Sequence, residues 1–319
     1  MLRTTIVTPS PRGSRHGNRV TALRWAALLR RLGVRVRIVE AWDGGACDLL
    51  IAVHAVKTAV SVLAAAATRP SLRVVVLLAG TDVYPRFAPG QAAEAALRRA
   101  DAIVALQPHA ITVLPEAWRS KARTIVQSAT ALPARRPDDV FQACVLAHLR
   151  PVKDPLLAAR ALALTPSAPP VRVVLAGEAR SPELAAAAAA AAARDPRFVW
   201  CGPLPRRRAR ELLAASHVCI VPSAAEGGAN VVSEAIAAGT PVLASAVPGN
   251  LGLLGDDWPA TFPVDDARAL AALLQRVASD SACHQSLLAR TLALQPMVDP
   301  QRELAAWRRL CGDLGLPVG

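Results

Sequence analysis

The stretch of sequence that most constrains the fold runs from residue 221 to 245 and reads VPSAAEGGANVVSEAIAAGTPVLAS. A short apolar run stops at Pro222, and helical periodicity begins near Ala229 after a small, polar loop. Gly239 predicts the end of that helix, and residues 241–245 have the composition of a buried strand. The stretch therefore predicts a strand, a glycine-bearing loop, a helix and a second strand, which is the repeating unit of a parallel sheet.

Two glutamates carry the predicted chemistry of this unit: Glu226 lies in the loop, and Glu234 follows eight residues later in the helix. Gly227 and Gly228 let the backbone approach a ligand, and the amides of the first helical turn favour an anion. Carboxylates do not hold an anion, so the combination predicts a ligand with phosphates for the amides and hydroxyls for the carboxylates. A nucleotide-sugar has both. The alternative is a pair of solvated glutamates beside an ordinary turn.

The E-x7-E spacing and the following EAIAAGTPVLAS resemble the donor-binding signature of the GT4 family of GT-B glycosyltransferases. The resemblance continues through FVWCGPLPRRRARELLAASHVCIVPS (198–223) and AVPGNLGLL (246–254), and it covers most of residues 140–280 and, more loosely, the first half of the chain. It implies an α/β protein with two Rossmann-like, doubly wound domains that face a cleft. It also implies a C-terminal helix that crosses back to the first domain.

We predict three parts in the 319-residue chain: an acceptor-side domain at 1–135, a nucleotide-sugar domain at 136–295, and the returning helix at 296–319. The segment LPARRPDD (132–139) is rich in proline and charge, which is typical of a linker. The other predicted strands lie at residues 4–8, 35–39, 49–53, 74–78, 102–105, 123–126, 141–147, 171–176 and 198–200.

Polar residues that follow the predicted strands of the first domain point to its ligand. Strand ends in such a domain meet at one edge, and His54 and Asp82 each follow a strand. The alternatives are a satisfied histidine at a strand end and a carboxylate that caps the next segment. The loop PSPRGSRHGN lacks the G-x-G-x-x-G pattern, so no dinucleotide site is predicted, and the resemblance implies that it approaches the donor phosphates and the acceptor. The acceptor-binding residues implied are Arg12, Gly13, Arg15, Gly17, Asn18, Arg19, Lys57, Thr81 and Asp82.

The segment AHLRPVKDP (147–155) resembles the GT4 element in which an arginine and a lysine hold the donor diphosphate. Lys153 matches the lysine, whereas His148 occupies the arginine position and Arg150 lies two residues beyond it, so the partner of Lys153 stays open. A solvated loop is the alternative. The catalytic residues implied are Glu226, Arg150, Lys153 and His54. The donor-binding residues implied are Glu234, Gly227, Gly228, Ala229, Asn230, Val231, Gly202 and His148.

Within GT4, the segments PSPRGSRHGNRVTALRWA, AVHAVKTA, AGTDVY, HLRPVKDP and EGGANVVSEA most resemble the selenosugar synthases of selenoneine biosynthesis. That resemblance implies transfer of a sugar from a UDP-sugar, chiefly UDP-N-acetylglucosamine, to selenophosphate, with formation of a C–Se bond and release of UDP. Arg12, Arg15, Arg19 and Lys57 supply the cations that a small anionic acceptor needs. Two alternatives stay open: a GT4 transferase with a hydroxyl acceptor, and a noncatalytic binder of nucleotides or nucleic acid.

Composition narrows the remaining classes. The net charge of +13 suggests nucleic acid, but the basic residues are dispersed and one Tyr and four Phe offer little for base stacking, so no nucleic-acid partner is predicted. The six cysteines lack C-x-x-C spacing and no D-x-D motif is present, so we predict neither a metal nor a cofactor beyond the UDP-sugar co-substrate. No apolar run of about 18 residues occurs, which predicts a cytoplasmic protein without stable membrane association. Oligomeric state and anomeric outcome stay open.

Overall fold

The computed structural model describes residues 1–14, 16–80, 82–84, 87–130, 132–133 and 135–319. The chain divides into two compact units. Unit 1 contains Met1–Gln127 and Pro300–Gly319, and unit 2 contains Ser128–Asp299. Each unit holds one parallel sheet in which six strands are described, and helices connect the strands. The predicted α/β class is confirmed.

Unit 1 is built on a sheet with the strand order β2-β1-β3-β4-β5-β6. Its strands are β1 (Arg3–Val7), β2 (Arg35–Val39), β3 (Leu49–Val53), β4 (Arg73–Leu78), β5 (Ala102–Ala105) and β6 (Ala122–Thr124). Its first helices are α1 (Gly17–Arg31), α2 (Ala59–Thr68), α3 (Gly90–Arg99), α4 (His109–Thr112) and α5 (Glu116–Arg119). Every residue of β3 is buried, because helices cover both faces of a parallel sheet. All strand carboxyl ends therefore meet at one edge of unit 1.

Unit 2 repeats this plan with the strand order β12-β11-β10-β7-β8-β9. Its strands are β7 (Phe141–Leu146), β8 (Val171–Ala176), β9 (Phe198–Trp200), β10 (Val218–Val221), β11 (Val242–Ser245) and β12 (Thr261–Phe262). Its helices are α6 (Leu157–Leu162), α7 (Pro182–Arg194), α8 (Arg206–Ala214), α9 (Asn230–Ala238), α10 (Pro248–Leu254), α11 (Ala267–Ser279) and α12 (Ser281–Ala293), with 3-10 turns at Pro151–Lys153 and Gln295–Val298. The two-residue β12 was not predicted, because it is too short to show a period.

The last helix, α13 (Pro300–Asp313), belongs to unit 1 although unit 2 precedes it in the chain. Trp307 is fully buried and packs edge to face on Trp25 of α1, with ring centroids 4.7 Å apart. Trp25 Nε1–H also donates to the Glu303 carboxylate at 2.9 Å. A buried indole pair and a charge-assisted hydrogen bond thus hold the chain end on unit 1.

The unit boundaries differ from the predicted ones after residues 135 and 295, since the structure divides the chain after Gln127 and Asp299. The predicted linker is attached to unit 2: Arg135 N–H donates to the Ala214 carbonyl at 3.3 Å, and the Arg136 side chain donates to backbone carbonyls of unit 2. Composition identifies a polar, proline-rich segment, but it does not show with which unit the segment packs. The hydrogen bonds from Arg135 and Arg136 to residues far along the chain decide that.

Two histidines pack at the amino-terminal end of the unit 2 sheet. Gln142 N–H donates to His217 Nδ1 at 3.0 Å, and His284 Nε2–H of α12 donates to the His217 carbonyl at 3.1 Å. The ring of Phe141 stacks on His217. Burial lowers the pKa of both histidines, and the nearby Arg136 lowers the pKa of each further, while Asp138 opposes this at His217.

We expect Trp307→Ala to destabilise unit 1 by about 3–5 kcal/mol, the cost of removing a fully buried tryptophan. Urea unfolding followed by fluorescence measures the change. Arg309→Ala, on the exposed side of the same helix, is the matched control and should be nearly neutral. Equal effects of the two substitutions would contradict the docking of α13 through its tryptophan.

We expect unit 2 to lose stability as pH falls below about 6.5, the ordinary pKa of histidine. The unfolded chain binds protons there before the folded His217 and His284 do, so the free energy of unfolding decreases with decreasing pH. His284→Gln retains a donor for the His217 carbonyl and should flatten this dependence, whereas His109→Gln in unit 1 should leave it unchanged. The urea midpoints at pH 7.5 and 5.5 measure this pH dependence. An equal change of midpoint between the two pH values in wild type and His284→Gln would refute the prediction.

Candidate functional site

The loop after β10 and the 3-10 turn after β7 meet through Glu226. Its carboxylate is 7% exposed, accepts a hydrogen bond from Ser223 Oγ at 2.6 Å, and forms an ion pair with Lys153. The backbones also meet, since Ala224 N–H donates to the Val152 carbonyl at 2.9 Å. Because β7 and β10 are neighbours in the sheet, two segments more than seventy residues apart bring a lysine and a glutamate together.

The loop that carries Glu226 is also held from the opposite side. A side chain on Gly249, in the first turn of α10, would lie 1.9 Å from the Glu226 carbonyl oxygen, so only glycine fits. Ser245 Oγ donates to the Ser223 carbonyl at 2.5 Å, and Asn250 Nδ2 donates to the Ser245 carbonyl at 3.0 Å. Sequence reasoning missed these supporting residues. The only signal was their position at the end of β11 and in the segment that follows it.

The backbone from Gly227 to the start of α9 forms the predicted turn. Gly228 has a φ of +145°, which favours glycine, and Ala229 is the N-cap residue without a side-chain cap. The N–H groups of Asn230 and Val231 lie in the first turn, where a helix offers no acceptor of its own. The amino-terminal end of α9 can therefore donate hydrogen bonds to an anion beside Lys153 and Glu226.

Glu234 lies on α9 with its side chain 16% exposed, and Nη2 of Arg206 on α8 is 3.9 Å from its carboxylate. Gly202, at the carboxyl end of β9, has a φ of +66° and open space where a side chain would be. Its carbonyl accepts from Gly177 N–H at 2.9 Å. Sequence reasoning did not single out Arg206, since its approach to Glu234 requires the packing of α8 on α9.

The two residues left open as partners of Lys153 differ in their surroundings. His148 is half-buried, and its Nδ1 accepts the Glu178 N–H at 3.2 Å. Arg150 is exposed and caps the 3-10 turn, where its carbonyl accepts from Lys153 N–H at 2.9 Å. Both lie on the segment that carries Lys153, so which of them acts with Lys153 at the donor diphosphate stays open.

In unit 1, the predicted His54 and Asp82 meet at the carboxyl ends of β3 and β4. The buried Asp82 carboxylate accepts from three backbone N–H groups, those of Ala55, Ala79 and Gly80, at 2.7–3.1 Å. His54 Nδ1 is 3.5 Å from Asp82 Oδ2, and the backbone of His54 has a φ of +83°. Such a conformation is unusual for a residue other than glycine and clusters at functional sites. Burial lowers the pKa of His54, and Asp82 opposes the shift.

The loop from β1 to α1 contains polar groups without protein partners. Arg19 is 9% exposed and makes no hydrogen bond or ion pair to any residue that the structure describes. The Thr8 and Ser14 hydroxyls, which sequence reasoning missed, are likewise buried without a partner within the described ranges. α1 begins at Gly17 without a side-chain cap and without an acidic residue in its first turn. The helix end and the guanidinium thus form a cationic environment.

The remaining predicted residues of this group lie nearby in the chain. Gly13 has a φ of +82° and is exposed, Asn18 follows Gly17 in α1, and Arg12 N–H donates to Glu40 at 2.9 Å. Lys57 is exposed, and its N–H donates weakly to His54 Nδ1 at 3.4 Å. Arg15 and Thr81 lie outside the described residues. The described residues predicted in unit 1 therefore follow β1, β3 and β4, whose carboxyl ends lie at one edge of the sheet.

Two features are absent from the described part of the chain. No group of three or more His, Cys, Asp or Glu residues able to hold a metal ion occurs in it. No helix there is long and apolar enough to cross a membrane. Metal independence stays a prediction.

Comparisons with known proteins connect this geometry with a family. Residues 133–290 match the family described as glycosyl transferases group 1. The chain superposes on HepE of Anabaena in complex with UDP and glucose, with a TM-score of 0.77, 16% identity and coverage of 99% of this chain and 100% of HepE. Sucrose-phosphate synthase of Thermosynechococcus elongatus superposes with a TM-score of 0.79 and 17% identity, over 98% of this chain and 98% of the synthase. The pneumococcal O-GlcNAc transferase GtfA, in complex with UDP and GlcNAc, superposes with a TM-score of 0.66 and 15% identity, over 92% of this chain and 59% of GtfA. No curated protein matches the chain.

These findings confirm two predictions. The GT-B fold class, with two Rossmann-like units and a C-terminal helix that returns to the first, is shared with the solved structures. The match of residues 133–290 confirms that the chain is a glycosyltransferase. The structure gives the positions and contacts of the predicted site residues, whereas their roles stay predictions.

We expect Lys153 and Glu226 to be energetically coupled. Among the described residues, Lys153→Met leaves the buried carboxylate with Ser223 as its one side-chain partner and should cost about 1.5–3 kcal/mol. In a double-mutant cycle with Glu226→Gln, the coupling should be about 0.5–3 kcal/mol by urea unfolding. The exposed pair Arg207 and Glu211, tested with the same substitutions, is the control and should couple by about 0.3–0.5 kcal/mol. Additive effects at Lys153 and Glu226 would disprove the ion pair.

Proposed function

We propose that this chain, whose residues 133–290 match the glycosyl transferases group 1, moves N-acetylglucosamine from UDP-N-acetylglucosamine to selenophosphate and releases UDP. The observation that carries the proposal is the combination, within unit 2, of Lys153, Glu226 and the uncapped start of α9. One site there offers cations and amides to phosphates and carboxylates to hydroxyls, as a nucleotide-sugar requires.

The donor half of the proposal assigns roles to unit 2. Lys153 and the N–H groups of Asn230 and Val231 bind the diphosphate, and Glu234 accepts from the ribose hydroxyls. UDP in the HepE and GtfA complexes, together with GlcNAc in the latter, supports a UDP-sugar as the donor. The similarity of these proteins to the chain extends over most of its length.

The proposed reaction breaks the bond between the anomeric carbon and the diphosphate oxygen, and the electron pair leaves with UDP. A selenium lone pair forms the new C–Se bond, so no proton transfer is required at an acceptor that is already anionic. Cations and helix amides at the departing diphosphate stabilise the charge that develops there, which is the main electrostatic contribution to such a step. Glu226 exchanges its contact with Lys153 for the sugar when the diphosphate binds Lys153.

The acceptor half rests on Arg19. The Arg19 residue is mostly buried and its guanidinium has no described counter-ion, so a ligand anion at the start of α1 supplies one. The unpartnered hydroxyls of Thr8 and Ser14 offer additional donors to the same kind of ligand. A small anionic acceptor therefore accounts for three groups that have no described protein partner.

A second candidate is a hydroxyl acceptor, and His54 favours it. Burial lowers its pKa, which favours the neutral imidazole that a general base requires, and Asp82 Oδ2 lies 3.5 Å from Nδ1. A hydroxyl needs such a base, whereas selenophosphate does not. We also propose a cytoplasmic location, which the six free cysteines support.

UDP release separates these candidates. The protein with UDP-N-acetylglucosamine and selenophosphate should release UDP together with a selenium-containing sugar phosphate, whereas hydroxyl acceptors should give none. Release only with hydroxyl acceptors would favour the second candidate. Absence of both UDP binding and release would leave a noncatalytic binder.

Arg19→Met should raise the KM for selenophosphate about 10- to 100-fold while UDP affinity stays unchanged, because it removes a charged hydrogen-bond donor of the acceptor only. The same substitution should not lower stability, since it replaces a mostly buried side chain that has no described partner with an apolar one. Arg31→Met, at the exposed end of the same helix, is the control for steady-state kinetics and urea unfolding. An unchanged KM in Arg19→Met would remove Arg19 from the acceptor site.

A further inference from the structure

The arginine at the start of α8 differs from the other arginines of that helix. Arg207 and Arg208 donate to Glu211 at 2.8 and 3.0 Å, and Arg210 donates to a backbone carbonyl. Arg206 makes none of these bonds; its side chain is 64% exposed, and Nη2 is 3.9 Å from the Glu234 carboxylate, beyond hydrogen-bond distance. Its guanidinium is therefore available to a ligand at Glu234.

The ion pair with Glu234 does not by itself explain this placement. An exposed arginine at such a distance contributes about 0–1 kcal/mol, because solvent screens the pair and the long side chain loses freedom. The pair does keep a planar cation beside a half-buried carboxylate. Arg206 can therefore move onto a ligand at little cost.

A nucleotide whose ribose binds Glu234 brings its base within reach of Arg206. The base is attached to the ribose carbon next to the one that bears the 2′-hydroxyl, so it lies within one arginine side chain of a group that contacts Glu234. Space is present beside Gly202, four residues before Arg206, where a side chain would meet no atom within 4 Å. This open space lies in the loop between the end of β9 and Arg206, the first residue of α8.

We infer that Arg206 selects the nucleobase of the donor and favours uracil over adenine. This inference rests on the proposed binding of a nucleoside diphosphate at Glu234. Guanidinium carries only donors, in a planar fork, and uracil presents two carbonyl oxygens as acceptors. Adenine presents an amino group, itself a donor, beside its ring nitrogens, so it gains less from the same cation. Guanine, which has a carbonyl acceptor that pairs with arginine, falls between them.

Titration calorimetry with UDP, GDP and ADP tests the inference on the full chain. The variants are Arg206→Leu, Arg206→Lys and the control Arg207→Leu, which is exposed on the same helix and bonded to Glu211. Arg206→Leu should weaken UDP binding about 5- to 100-fold and leave ADP binding nearly unchanged, so the preference for UDP over ADP shrinks. Arg206→Lys should recover part of the preference, since it keeps the charge but loses the fork. Arg207→Leu should behave as wild type.

The outcomes separate the inference from the proposed function. Equal losses of UDP and ADP affinity would assign Arg206 to phosphate or ribose and overturn the choice of base. Equal affinities of Arg206→Leu and wild type for all three nucleotides would overturn it as well. If wild type binds none of the nucleotides, the donor site of the proposed function fails and this inference fails with it.

Discussion

The ion pair between Lys153 and Glu226 is the interaction on which the candidate site of unit 2 depends. A carboxylate buried to this degree needs a counter-charge and hydrogen bonds: Lys153, after β7, supplies the charge, and Ser223, in the same loop as Glu226, supplies a hydrogen bond. β7 and β10 pair directly in the sheet, and their following segments leave at the same edge. The backbone bond from Ala224 to Val152 and the close approach at Gly249 keep that geometry. The parallel topology thus positions the charge pair.

Unit 1 shows the contrast between a satisfied and an unsatisfied buried charge. Asp82 accepts three backbone N–H groups, so its placement requires nothing from outside the protein. Arg19 is buried without any described partner, and the hydroxyls of Thr8 and Ser14 beside the same loop are unpaired too. Proteins break local rules mainly where function requires it. The acceptor proposal follows from that asymmetry, and the neutral His54 supports the competing candidate.

The solved structures that resemble the chain share its fold at 15–17% identity, which illustrates how little sequence a doubly wound fold requires. Apolar strands, covered on both faces, maintain the sheets, and the chemistry lies in loops at their carboxyl ends. Arg206 lies in this layer, at the start of α8. It contributes little to stability, so it can vary with the ligand while the scaffold stays the same.

The sequence by itself determined what local patterns can carry: the positions of most strands along the chain, the glycine-bearing turn before α9, the E-x7-E pair and the glycosyltransferase class. Tertiary structure decided the attachment of residues 135 and 136 to unit 2, the existence of β12, and the contacts of Ser223 and Arg206. Periodicity and turn chemistry depend on neighbours a few residues away, so they are visible in the chain. A contact such as Lys153 to Glu226 depends on which strands lie side by side, and only the folded sheet fixes that order.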